Sequence, residues 1–344
     1  FAALINQGVA LIDQGLAQAR TAPWVHDLLV NGVLAGVGSV LGFLPTIVIL
    51  FLLLSILEDS GYMARAAFLI DKPMRKLGLN GRSFIPMVMG FGCTVPAVMG
   101  ARSMQSQRDR RFTILLTPFM SCGAKVPIYA LFTRAFFPEQ GVLVMCCLYL
   151  GGMLMAVLSA LVLKKTVFHG DAAPFIMELP SYRLPTPGNV WRTLWDKAKD
   201  FLQRAFTIIL AATVVVWFLQ SYTFSLTQAV NLEESMMGVI GSFLAPLFRP
   251  LGFGSVAPAT AVLTGVIAKE SVVSTLSVLS GVDPTSDAML AALHGIFPST
   301  LSAVSFLTFV LLYMPCVAAY AAMRREMEGK HVALASVAAQ TALA

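Results

Sequence analysis

A chain of 344 residues with 57% hydrophobic and 12% charged residues departs far from the soluble average of about 25% charge. That composition excludes a soluble globular enzyme, a disordered protein and a nucleic-acid binder, although a net charge of +6 would point to nucleic acid in a less apolar chain. The basic residues flank apolar runs, where they read as topology signals. Five Cys without paired spacing do not make a disulfide framework. The opening FAALINQGVALIDQGLAQAR shows no signal-peptide pattern, and a start at Phe with an end in QTALA reads as a chain cut at both ends.

In chain order, Val33 to Leu57 is a charge-free run of 25 residues, long enough to span a bilayer. Ser83 to Ala101 is apolar but dense in Gly, Pro, Ser and Thr. Phe112 to Thr133 is a span interrupted by Pro118, Lys125 and Pro127. Val142 to Leu163 is a clean span of 22 residues, and Ala205 to Tyr222 is another, with Trp217 and Tyr222 as an interfacial belt. Phe253 to Leu279 repeats the Gly/Pro/Ser/Thr texture and carries Lys269 and Glu270. Thr300 to Met323 is the last clear span. The two irregular stretches predict re-entrant or discontinuous helices, which survive at membrane depth only inside protein or along a water-filled cavity.

Charge sets the orientation. Arg65 to Arg111 holds nine basic residues and two acids, and Lys164 to Arg204 holds seven and four, whereas Thr223 to Pro298 holds two and five. The first two segments, with Arg324, Arg325 and Lys330, are expected on the cytoplasmic side. Lys164 to Arg204 is expected as a cytoplasmic loop.

The order span, amphipathic linker, broken stretch, span occurs twice, roughly Val33 to Arg134 and Arg204 to Arg325. Leu77-Gly78-Leu79 matches Leu251-Gly252-Phe253, and Gly90 falls one residue out of register with Gly265. Met120-Ser121-Cys122-Gly123-Ala124 matches Met314-Pro315-Cys316-Val317-Ala318, after an insertion of about 20 residues in the second copy. Opposite topologies make this an inverted repeat, which places a substrate near the midplane at broken helices. The expected fold is an all-α polytopic membrane protein of two inverted-topology repeats. Its parts are an external segment at 1–32, a first repeat at 33–134, a connecting span and basic loop at 135–203, a second repeat at 204–326, and a further segment at 327–344.

Cys93, Cys122 and Cys316 all fall at helix breaks, with Met120 and Met314 beside the last two. Soft sulfur ligands suit Fe(II), Cu(I) or Zn(II) rather than Mg(II) or Ca(II). Each Cys taken singly reads equally as a small packing residue. Glu270 is an intramembrane carboxylate that could bind a cation or neutralise Lys269, and Lys125 could snorkel or pair with an acid. Glu58 and Asp59 read as interfacial charge or as ligands. Cys146-Cys147 reads as packing, and His294 as bland. The chain contains no GxxxxGK[ST], HExxH or GxSxG pattern.

GFGCTVPAVMGAR, PFMSCGAKVPIYALF, MELPSYRLP, GVIAKESVVSTL and YMPCVAAYAAMRRE together resemble the membrane domain of the ferrous iron transport protein B family. The resemblance covers about Leu44 to Glu326. It implies two gate repeats like those of nucleoside transporters, and a transporter rather than an enzyme, importing Fe(II) across a bacterial inner membrane. It also implies an N-terminal cytoplasmic GTP-binding domain, the source of any GTP and Mg requirement, and a small accessory iron-transport protein. Its metal-binding candidates fall on Cys93, Cys122, Cys316, Glu58 and Glu270, with Met120 and Met314 adjacent. The family's usual Asn after the first Cys is Thr94 here, and its usual Arg-Leu-Pro is Lys125-Val126-Pro127. The alternatives are a nucleoside or other organic-solute carrier, and a scaffold module without transport.

Overall fold

A computed structural model describes residues 26, 28–104, 106–168, 182–225, 227–228, 234–283, 286–327 and 330–344. The expected external segment at 1–32 and the start of MELPSYRLP lie mostly outside them. The described residues are helical apart from turns and one isolated bridge between Tyr222 and Gln228. Three stretches are long and apolar enough to cross a membrane, Gln107–Phe136, Gly141–Thr166 and Thr300–Glu326. Two sharply bent pairs, Leu44–Asp59 with Tyr62–Lys76 (81°) and Met236–Leu251 with Val256–Ile267 (104°), bring that to five.

The first repeat opens with α1 (Ala35–Asp59), entered through a π-helical turn at Leu28–Leu34. It bends into amphipathic α2 (Tyr62–Lys76) through Gly61, whose φ of 77° suits a residue without Cβ. The first irregular stretch is α3 (Phe84–Gly92) and α4 (Thr94–Gly100), broken at Cys93. The interrupted span is α5 (Gln107–Leu116) and α6 (Val126–Phe136), separated by two 3₁₀ turns and an extended link. α7 (Gly141–Thr166) buries Leu148, Gly152, Ala156 and Ala160, a four-residue spacing that lines one face. Its other faces are exposed and apolar, as a lipid-facing helix requires.

The second repeat uses the same plan. Its first helix is α8 (Pro187–Ser221), started by Thr186 and Pro187. The linker is α9 (Met236–Phe248). The irregular stretch is α10 (Val256–Ile267) and α11 (Ser271–Ser280). The final span is α13 (Thr300–Leu312) and α14 (Val317–Glu326). α12 (Asp287–Ile296) is the inserted element, and α15 (Lys330–Leu343) follows the repeat. Gln340 Nε2 of α15 donates to the Leu115 carbonyl at 3.1 Å.

Two expectations are corrected. The basic segment ending at Arg204 is not all loop: from Pro187 it is helix, continuous with the apolar run, because its charges lie on a helix that only later becomes apolar. Trp217 is buried rather than a lipid-facing belt residue; its ring covers Gly32 and meets Tyr222 edge-on at 6.0 Å. Thr300 to Met323 lies in a stretch apolar enough to cross a membrane, and its helix breaks at Tyr313–Cys316, where the sequence places Cys316 at a break.

The repeat is visible in backbone detail. Gly78 and Gly252 both take the left-handed conformation (φ 82° and 87°). The residues after them, Leu79 and Phe253, are both fully buried. The repeats also touch directly where Arg102, after α4, donates to Glu326 at the end of α14.

Candidate functional site

Each repeat contributes two helix breaks, and proline chemistry explains three of the four. Pro96 has no N–H for the carbonyl four residues back, Gly92, so the ladder fails there and Cys93 is extended (φ −154°, ψ 134°). Pro118 and Pro127 bracket the extended link Met120–Cys122. Pro315 takes the donor from Leu311, and Tyr313 and Cys316 are extended on either side of it. Ala268 (φ −144°, ψ 115°) breaks α10 from α11 without a proline, and Lys269 and Glu270 form the turn that follows.

The breaks meet. A Cβ at Gly123 would lie 3.4 Å from the Gly92 carbonyl oxygen, so the two breaks of the first repeat approach through backbone. Gly90 lies three residues before Cys93, and its missing side chain leaves room for Met120, 3.1 Å from where a Cβ would stand. Gly265 lies three residues before Ala268 and leaves room for Tyr313, whose hydroxyl would be 2.4 Å from a Cβ. In both repeats a glycine ahead of the first break thus admits a side chain from the second.

Cys93, Cys122 and Cys316 are free thiols of intermediate exposure. Cys93 and Cys316 border one apolar cluster around Phe51, Val95 and Ala319. Cys93 and Cys316 each lie within electrostatic reach of Cys122 and Glu270, and Lys125 and Lys269 share the neighbourhood of Cys122 and Cys316. Among the described residues, no three His, Cys, Asp or Glu side chains are close enough to hold one metal ion. The thiols are gathered without forming a ready coordination shell. Met120 is buried, and Met314 packs at the edge of the main core.

Glu58 lies elsewhere. It ends α1, is mostly exposed, and accepts from Lys197 Nζ at 2.6 Å. It lines a cavity of about 500 Å³ with Lys197, Met63, Met89, Pro96 and Met99, the last three from the helices either side of the Cys93 break. Neighbouring Asp59 is buried in a lattice of donors: Arg183 Nη2 at 2.6 Å, Asn189 Nδ2 at 2.7 Å and the Thr186 N–H at 2.9 Å. Cys146 and Cys147 are exposed on α7 rather than buried in the core. His294 Nε2 contacts the Ala135 carbonyl at 3.0 Å, outside the site.

Two features escape sequence reasoning. Lys125, 2% exposed, donates from Nζ to the Leu311 carbonyl at 2.8 Å. Lys269, 3% exposed, reaches the Val310 carbonyl at 3.4 Å and stands 3.5 Å over the Tyr313 ring. A lysine in an apolar run signals a buried charge, but not its direction. Tyr313 carried no signal beyond standing before Met314-Pro315-Cys316.

The family model described as nucleoside recognition, the gate, matches residues 40–136 and 202–330. Between those two stretches, residues 145–197 match the C-terminal model of ferrous iron transport protein B. The chain belongs to the ferrous iron transport protein B family. Among curated members of that family, it is 46% identical over 304 residues to the Fe(2+) transporter FeoB of Staphylococcus aureus strain COL, covering 88% of this chain and 45% of the relative. It is 38% identical over 339 residues to that of Methanocaldococcus jannaschii, covering 96% and 50%. A Porphyromonas gingivalis protein named as a fusion of Fe(2+) transport protein A and Fe(2+) transporter FeoB is 41% identical over 347 residues, covering 87% and 41%. The chain thus spans about half the length of the curated FeoB relatives it matches, and corresponds to the membrane part of the family. No solved structure matches it significantly. Each matched gate stretch contains one pair of helix breaks, Cys93 and Met120–Cys122 in the first, Ala268–Glu270 and Tyr313–Cys316 in the second.

Proposed function

We propose that this chain is the permeation part of a ferrous iron importer of the bacterial inner membrane, and that Fe(II) crosses where the four helix breaks meet. The gate repeats are taken as 33–134 and 204–326, with the basic segments 65–111 and 164–204 facing the cytoplasm. The meeting of the four breaks, three of them holding Cys93, Cys122 and Cys316 and the fourth Glu270, is the observation that carries this reading. The thiols, with Met120 and Met314, supply soft donors to a borderline cation, and Glu270 supplies a hard oxygen. Fe(II) displaces thiol protons on binding and they return on release. A grouping looser than a coordination shell suits a permeant ion, which must bind weakly enough to leave. Glu58, on the adjoining cavity, is a second carboxylate on the route. GTP and Mg act through a domain outside this chain. The fusion found in the P. gingivalis relative supports a small accessory iron-transport protein as partner.

The test is anaerobic Fe(II) uptake into proteoliposomes. Changing Cys93, Cys122 and Cys316 together to Ser is expected to lower uptake at least roughly tenfold, the worth of about 1.4 kcal/mol of lost stabilisation. Uptake undiminished in the triple variant would move the route to Glu270 and backbone oxygens. The description of the gate model as nucleoside recognition favours a second reading, a nucleoside carrier. Aromatic rings beside the Met120–Cys122 break, Phe91 with Tyr149 at 6.1 Å and Tyr129 with Tyr149 at 6.3 Å, could stack on a base. Nucleoside uptake without Fe(II) uptake would establish it, and no substrate response of either kind would favour a scaffold.

A further inference from the structure

A helix ends with carbonyl oxygens that lack intrahelical donors. α13 ends at Leu312. The Leu311 carbonyl would ordinarily receive the N–H of residue 315, but that residue is proline. The Val310 carbonyl loses its partner because Tyr313 leaves the helix, extended at ψ 168°. These carbonyls form the negative end of the helix dipole, where a cation is favoured. They stand directly before Cys316, in the neighbourhood shared by Cys122.

Two buried ammonium groups fill those positions, and they arrive from different repeats. Lys125, at the start of α6, donates to Leu311, and Lys269, between α10 and α11, reaches Val310. Lys269 also rests on the face of Tyr313 at 3.5 Å, a contact made to positive charge. The Tyr313 hydroxyl is buried without a hydrogen-bond partner and lies against Gly265 at the end of α10. A buried oxygen left unsatisfied on the ring that Lys269 covers, next to two carbonyls held only by lysine side chains, marks a place arranged for something besides internal packing.

We propose that the C-terminal end of α13, through the Val310 and Leu311 carbonyls, is a divalent-cation site on the permeation route, and that Lys125 and Lys269 are tethered cations competing for it. This rests on the reading of the chain as a metal-ion route, and adds the element that keeps binding weak. An arriving ion must displace an ammonium group from its carbonyl. A departing ion is replaced at once by that group, so the carbonyls are never left bare in a dry environment. Because Lys125 comes from the first repeat while α13 and Lys269 belong to the second, moving the repeats relative to each other changes the competition at Leu311.

The test is anaerobic Fe(II) binding to the full chain in nanodiscs, with a parallel Mn(II) titration. Lys125→Gln and Lys269→Gln keep a donor for the carbonyl but remove the charge; Lys125→Met and Lys269→Met remove both; Lys125→Arg and Lys269→Arg keep the charge. The Gln variants are expected to bind Fe(II) at least roughly tenfold more tightly than the unmodified chain, the factor for about 1.4 kcal/mol of relieved competition. The Arg variants should match the unmodified chain. Binding that is unchanged or weaker in folded Gln and Met variants would overturn the proposal and leave the lysines as helix caps only. Should no form bind Fe(II) while the Gln variants bind Mn(II) more tightly, the tethered-cation site would stand and the iron reading would fall. Binding of neither ion by any form would overturn both.

Discussion

Replacing Gly265 by Ala is expected to destabilise the chain by about 1–3 kcal/mol, the usual cost of forcing atoms into a packed core, and to stop Fe(II) uptake. The new methyl group would stand 2.4 Å from the Tyr313 hydroxyl and 2.6 Å from Val272 Cγ2. Val272 belongs to α11 and Tyr313 to the last break, so one methyl would push on both irregular stretches of the second repeat. Tyr313 can retreat only by lifting its ring from Lys269. A companion variant separates the two collisions. Gly265→Ala combined with Tyr313→Phe removes the hydroxyl contact but keeps the Val272 contact, so it should regain part of the stability. Thermal unfolding in detergent, followed beside proteoliposome uptake, measures both effects. A Gly265→Ala chain that melts and transports normally would show that the second repeat gives way easily at this point.

Replacing Asp59 by Ala should release the segment 182–190 from the end of α1. Asp59 is the acceptor for the Arg183 guanidinium, the Asn189 amide and the Thr186 N–H, and the last of these heads the first turn of α8. Without the carboxylate, the donors lose their shared anion. Hydrogen exchange at the amides of residues 186–190 should quicken at least roughly tenfold, the factor for one charge-assisted hydrogen bond. Glu58→Ala makes the comparison: its single bond to Lys197 is mostly exposed, and exposed ion pairs contribute little. Equal exchange in the two variants would show that the Asp59 donors satisfy one another or water instead.

The sequence made the breaks legible where glycine and proline crowd an apolar run, as at GFGCTVP. It marks the break after Leu312 only by Pro315 and Cys316, because thirteen residues of good helix precede them. It read the charged start of α8 as loop, because a helix with mixed charge around it carries no apolar stripe to mark it. The weak match between Leu77-Gly78-Leu79 and Leu251-Gly252-Phe253 proved informative, since both glycines need positive φ. The thiols could be named from their places at the breaks. Their partners could not, because the reach of Lys125 to Leu311 and of Lys269 to Val310 joins residues 186 and 41 positions apart. Composition sees a lysine in an apolar run, and only the fold says which carbonyl it meets.

α1 packs chiefly along α8, and the donors that hold Asp59 are 124 to 130 residues further along the chain. At ordinary elongation rates of about 5–20 residues per second, those donors leave the ribosome roughly 6–26 s after Asp59. Throughout that interval the first helix must rest in or near the translocon with a carboxylate awaiting its partners. Assembly of the first repeat is therefore postponed until the second has begun. A nascent chain arrested before residue 187 would present an unfinished helix with an unneutralised acid at its end, the kind of feature on which membrane quality control acts.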